Sequence, residues 1–147
     1  MQLTPHFSLG EMTFSRTAVM NGIDNTPNAA TIANLKELAK LLESIRTDMN
    51  RPLVVTSGYR SPKLNAHPSV GGAQESAHLT GRAADIYAPG MTIKALMDVI
   101  ARRGYPFDKL IMEYDNWVHI QIPKPGAKPR GEIYTIRKGT GYMAGIV

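Results

Sequence analysis

The chain has 147 residues, a length that suits one domain (1–147) with a single core, and its 43% hydrophobic and 20% charged residues make an ordinary globular balance. It contains no cysteine, which excludes disulfides, thiolate metal sites and cysteine nucleophiles, so any metal must be held by nitrogen and oxygen. The net charge of +5 attracts polyanions such as nucleic acid or an anionic cell wall. The basic residues are scattered, apart from Arg102-Arg103 and the segment Lys124 to Lys138, and no nucleic-acid motif accompanies them.

The opening MQLTPHFSLGEM has no basic-then-apolar layout, so no signal peptide is expected and synthesis is expected to be cytoplasmic. No apolar run approaches the roughly 18 to 20 residues needed to span a bilayer, so membrane insertion is not expected. Residues 1–26 read as an irregular lead-in with one helical turn near His6 to Met12. The spacing of Ile32, Leu35, Leu38, Leu42, Ile45 and Met49 predicts a main helix over 27–49, capped by Thr26 with Pro27 in its first position. After Arg51-Pro52, residues 53–57 read as a short buried strand. Residues 58–77, rich in Gly, Ser, Pro and Asn, predict a long loop, and loops of that length inside a compact domain are usually functional.

Residues 82–88 predict a second strand. Thr92 caps a helix over 92–103 that Gly104 stops. Residues 110–114 and 117–122 predict a hairpin around Asp115-Asn116, and 132–136 one more strand. The expected class is α+β, with helices packed on one side of a mainly antiparallel sheet.

Strand alternation carries the chemical argument. Along Trp117 to Ile122, one face holds Val118, Ile120 and Ile122, and the other holds Trp117, His119 and Gln121. Along Ala83 to Tyr87, Asp85 lies opposite Ala84 and Ile86. If the apolar faces share one core, Asp85 and His119 emerge together on the other side. His78, just before the turn Leu79-Thr80-Gly81, can swing back over the start of that strand. Two imidazoles and one carboxylate suffice for an open zinc site, and zinc lowers the pKa of a water it holds to about 7. A peptidase site also needs a general base and a cation for the developing oxyanion. Glu113 is the best base, with Asp115 in reserve, and Arg60 is the best cation. Trp117 suits a cleft wall and Ser76 a hydrogen bond near the ligands. His6 and His67 are expected to be structural or exposed.

The run Ser76-Ala77-His78-Leu79-Thr80-Gly81-Arg82-Ala83-Ala84-Asp85 resembles the S-x-H-x-x-G-x-A-x-D signature of the zinc D-alanyl-D-alanine carboxypeptidases. That group includes vancomycin-resistance dipeptidases and phage endolysins, on a metal-binding fold shared with Hedgehog domains. Ser57-Gly58-Tyr59-Arg60-Ser61 upstream and Trp117-Val118-His119 downstream are similar in order and spacing. The lead-in from Phe7 to Met12 is similar to the small phage branch, and the likeness spans roughly residues 5–123. It implies a Hedgehog/DD-peptidase-like fold, and one zinc ion on His78, Asp85 and His119. It also implies Arg60 near the substrate and cleavage of peptidoglycan stem peptides, and the phage-like lead-in suggests a lytic or virion enzyme. Ser76 and Trp117 are expected beside the substrate, and the protein is expected to be a monomer.

The bond cut stays open between D-Ala-D-Ala and L-Ala-D-Glu. The sequence departs from the common pattern at Asn116, where many members place the catalytic acid three residues before the last histidine. Glu113, six residues before it, resembles the Hedgehog-like and phage arrangement. A non-catalytic zinc-containing wall-binding module is the alternative reading.

Overall fold

The computed structural model describes residues 1–147. The lead-in is more ordered than its composition predicts. Strands β1 (Gln2–Thr4) and β2 (Phe7–Ser8) pair, and helices α1 (Leu9–Thr13) and α2 (Arg16–Met20) follow. The reason is local chemistry: Ser8 and Glu11 form a reciprocal capping box, and Ser15 caps α2. Phe7 and Met12 are fully buried, so this segment belongs to the main core.

Helix α3 runs Ala29–Met49 and starts two residues later than expected. Thr26 is not its cap: its N–H donates to Asp24 Oδ1 at 2.9 Å in a turn of its own, and the helix begins only at Ala29. Asn28 caps instead, its Oδ1 accepting from Thr31 N–H at 2.9 Å. Leu35, Leu38, Leu42 and Ile45 are fully buried, and Ile32 and Met49 flank that stripe half-buried. Full burial of each such side chain contributes about 1.5–3 kcal/mol before entropy is charged against it. Asn50, left-handed at φ 50°, closes the helix.

Strand β3 (Val54–Ser57) is half-buried rather than buried, because it is an edge strand paired only with the next one. The loop at 58–77 contains helix α4 (Pro62–Asn65), which Ser61 caps with Pro62 at its start, and it ends in a 3-10 turn, Ala77–Thr80. Gly81 (φ 74°) reverses the chain there. A Cβ at Gly81 would lie 2.9 Å from both Leu35 Cγ and Thr31 O, so only glycine lets the turn rest directly on α3. Strand β4 (Ala83–Tyr87) follows. Helix α5 (Ile93–Arg103) has the expected Thr92 and Gly104 caps.

Strands β5 (Lys109–Glu113) and β6 (Trp117–Gln121) form the hairpin. Its left-handed pair is Tyr114 (φ 56°) and Asp115 (φ 55°), one residue earlier than the expected Asp115-Asn116. Strand β7 (Glu132–Ile136) pairs parallel to β5, and β8 (Met143–Ala144) pairs antiparallel to β7. The sheet order is β3-β4-β6-β5-β7-β8, antiparallel except for the β5–β7 pair. One sheet face, with Ala84, Ile86, Leu110, Met112, Val118 and Ile120, shares a core with α3 and α5. The opposite face is left for chemistry.

Candidate metal centre and active site

In β4 and β6, Asp85 and His119 are a direct cross-strand pair. Both point away from the core shared by Ala84, Ile86, Val118 and Ile120, as period-two alternation requires. His78 sits in the 3-10 turn held against α3 by Gly81 and by Asn34 Nδ2 donating to Thr80 O at 2.9 Å. All three side chains are buried, and one donor atom from each lies within 4.8 Å of the other two.

The nitrogens that converge can be identified. His78 Nδ1 is 2.7 Å from the Gly58 carbonyl, which can only accept, so Nδ1 carries the hydrogen and Nε2 is free. That Nε2 lies 3.3 Å from Asp85 Oδ1, and His119 Nδ1 lies 3.2 Å from the same oxygen. The two rings meet edge to face at 5.1 Å. Burial pushes the Asp85 carboxyl up, but the adjacent His78 and His119 outweigh it and hold the group well below the usual carboxylate range. Burial pushes His119 down, while Asp85 and Glu113 outweigh that and draw it up. A buried carboxylate between two imidazoles is thus a site for a positive charge. A set of two nitrogens and one oxygen with one side open suits zinc.

The trio lies in a cleft of about 720 Å³, whose lining also includes Arg60, Ser76, Glu113, Trp117, Tyr134 and Tyr142. A second groove, of about 630 Å³, lies between α3 and residues 122–127 and contains none of the expected site residues. Glu113 is half-buried opposite Trp117 in the hairpin register. Its Oε1 accepts from Trp117 Nε1–H at 2.8 Å and is 3.9 Å from His119 Nδ1. Asp115, the reserve base, is turned away: Arg137 grips it at 2.9 and 3.0 Å out in solvent. That grip holds its carboxyl below the ordinary range. Asn116 is exposed in the same turn.

Arg60 is tied to the metal site itself. It donates from Nε to Ser57 Oγ at 3.0 Å, from Nη1 to Asn65 Oδ1 at 3.2 Å and from Nη2 to Asp85 Oδ2 at 3.3 Å. One N–H on each terminal nitrogen remains for another acceptor. Ser76 Oγ accepts from the His78 N–H at 3.2 Å and so caps the turn that carries the ligand. His6 pairs with Glu43 at 2.7 Å and His67 with Ser69 at 2.8 Å, both away from the trio.

A family model described as Peptidase M15 matches residues 5–121. The chain belongs to the peptidase M15 family. Among curated proteins none matches it. The peptidase M15 family is one of zinc-dependent D-Ala-D-Ala carboxypeptidase-like enzymes, so membership implies peptidase chemistry, and the α+β fold with its antiparallel-rich sheet agrees with it. No helix is long and apolar enough to cross a membrane.

Several M15 site neighbours are not singled out by sequence reasoning. The Gly58 carbonyl orients His78, and backbone atoms leave no trace in residue type. Tyr134 and Tyr142 enter the cleft from β7 and the segment leading to β8, outside the matched residues. Gln121, whose Oε1 is 3.1 Å from His119 Nε2, did have a signal, since it shares the polar face of β6 at the next alternate position.

Proposed function

We propose that this protein is a zinc metallopeptidase that hydrolyses peptide bonds in bacterial peptidoglycan stem peptides. It would act as a D,D-carboxypeptidase or an L-Ala-D-Glu endopeptidase, in a phage lytic or virion role. The observation that carries the reading is the buried His78–Asp85–His119 cluster with the Glu113 carboxylate 3.9 Å from His119, all opening on one cleft. The wall substrate is supported by the motif order shared with the carboxypeptidases and endolysins. The net charge of +5 suits an anionic wall.

His78 Nε2, an Asp85 oxygen and His119 Nδ1 would hold the zinc. When bound, zinc supplies Lewis-acid polarisation of the scissile carbonyl and an acidified water. Glu113, steadied by the Trp117 indole, takes the water proton and returns it to the departing amine. Arg60 uses its two remaining N–H groups on the substrate's carboxylate or oxyanion, while its other bonds keep it in place. Trp117 walls the cleft, and Ser76 keeps the His78 turn from unwinding at the substrate's edge.

The test is hydrolysis of purified peptidoglycan with and without a chelator, with fragments read by mass spectrometry. Cleavage that chelation abolishes and zinc restores is expected, and the fragment masses name the bond. Stoichiometric zinc without cleavage of any wall peptide would instead favour a wall-binding module.

A further inference from the structure

We infer that Gln121 and Asp108 are positioning residues that decide which nitrogen His119 turns toward the metal, with Arg130 completing the device. The inference rests on the metal-site reading above. Asp108 is only 4% exposed, and its carboxylate is gripped by Arg130 through Nε–Oδ1 at 3.0 Å and Nη2–Oδ2 at 2.7 Å. A carboxylate so held only accepts. The Gln121 amide nitrogen lies 3.4 Å from Asp108 Oδ2, so its NH₂ end faces Asp108 and its oxygen faces the other way. That oxygen is 3.1 Å from His119 Nε2. An amide oxygen also only accepts, so Nε2 must carry the hydrogen. In the neutral ring that a metal requires, Nδ1 is then the nitrogen with the lone pair, beside Asp85.

A reversed Gln121 would set its NH₂ against His119 and its oxygen against a carboxylate, two acceptors facing each other where water is excluded. The backbone keeps the parts in register: Asp108 N–H donates to Gln121 O at 2.7 Å, and Glu132 N–H to Asp108 O at 3.0 Å. His78 is fixed differently, by one backbone carbonyl on Nδ1. The two imidazoles therefore meet the metal through opposite nitrogens, each set by a partner on the far side of its ring. Arg130 comes from the segment beyond residue 121, so residues outside the matched family region reach the metal through this relay.

The test uses the full chain and three readouts: zinc affinity by competition with a chromophoric chelator, the visible spectrum of the cobalt-substituted protein, and the melting temperature of the metal-free form. Gln121→Met keeps the volume and removes both polar ends. It should lower zinc affinity about 10- to 100-fold and alter the cobalt spectrum, while the metal-free form still folds cooperatively with a melting temperature lower by a few degrees, since the buried His119 Nε2–H loses its acceptor. Gln121→Glu combined with Asp108→Asn and Arg130→Ala reverses the polarity of the relay while still offering His119 Nε2–H an acceptor, and it removes the guanidinium that the new amide NH₂ would otherwise face. It should recover most of the affinity and move the spectrum back toward that of the wild type, whereas Gln121→Glu alone opposes two carboxylates and should not. The triple variant carries the test if Gln121→Met does not fold. Wild-type affinity and spectrum in Gln121→Met, or no recovery in the triple variant, would overturn the inference. A wild type that binds neither zinc nor cobalt would instead sink the metal-site reading itself.

Discussion

Gly58 joins the stability of the fold to the geometry of the metal site, and Gly58→Ala separates the two consequences. A Cβ at this position would sit 2.2 Å from the Met12 carbonyl oxygen and 2.9 Å from its carbon. Both are backbone atoms, so α1 and the end of β3 must separate by about 1 Å, and overpacking of this kind costs about 1–3 kcal/mol. The separation also breaks the Tyr59 N–H bond to Met12 O, 2.8 Å in the wild type, at about 1 kcal/mol more. A total near 3 kcal/mol in a chain of this length lowers the melting temperature by roughly 6–12 °C. The Gly58 carbonyl moves with the backbone and leaves His78 Nδ1 without its 2.7 Å partner, so zinc affinity should fall at least about tenfold. Calorimetry in excess chelator reads the first effect, and chelator competition at a temperature where the variant is folded reads the second. A variant that melts within about 2 °C of the wild type and binds zinc equally well would refute the packing argument and the assigned role of the carbonyl together.

Glu113→Gln keeps the Trp117 hydrogen bond but not the basicity. Hydrolysis of wall peptide should drop about 10²- to 10⁴-fold with zinc content unchanged, and retained turnover would remove Glu113 as the base. Asp115→Asn should leave turnover unchanged, since Arg137 holds that side chain in solvent; a loss matching that of Glu113→Gln would reverse the choice between the two acids. The Arg130 hydrogen bonds hold the Asp108 carboxyl below its ordinary value, so the unfolded chain takes up the proton first as pH falls. The stability difference between wild type and Arg130→Ala, measured by urea unfolding in chelator, should be full above about pH 4 and shrink as pH drops through the depressed value. A gap that stays constant or widens in acid would contradict that sign.

Much of the site is legible because strands write their faces into the sequence at every second residue. Trp117, His119 and Gln121 alternate with Val118 and Ile120, and Asp85 sits between Ala84 and Ile86, so both potential ligands are placed opposite the core before any pairing is known. The caps of α5 are legible for a similar reason, since Thr92 and Gly104 act on backbone groups a few residues away. Thr26 shows where such reasoning stops. It has the right residue type for a cap, but it lies in a turn with Asp24, and the helix starts only after Asn28, whose side chain takes the role. The lead-in shows the same from the other side, because β1 and β2 are too short for any periodicity to register.

The sequence by itself determined that nitrogen and oxygen are the only available metal donors, which face of each strand is polar, and where the main helices run. These properties depend on residue type and on periods of two to four residues. Tertiary structure decided which acid stands by the metal, because Glu113 and Asp115 are two residues apart but one meets Trp117 and the other meets Arg137. It also decided which nitrogen of each histidine is free, since Gly58 is 20 residues from His78 and Asp108 reaches His119 only through Gln121. Such contacts are chosen by how distant segments pack together, and no local pattern in the chain records that choice.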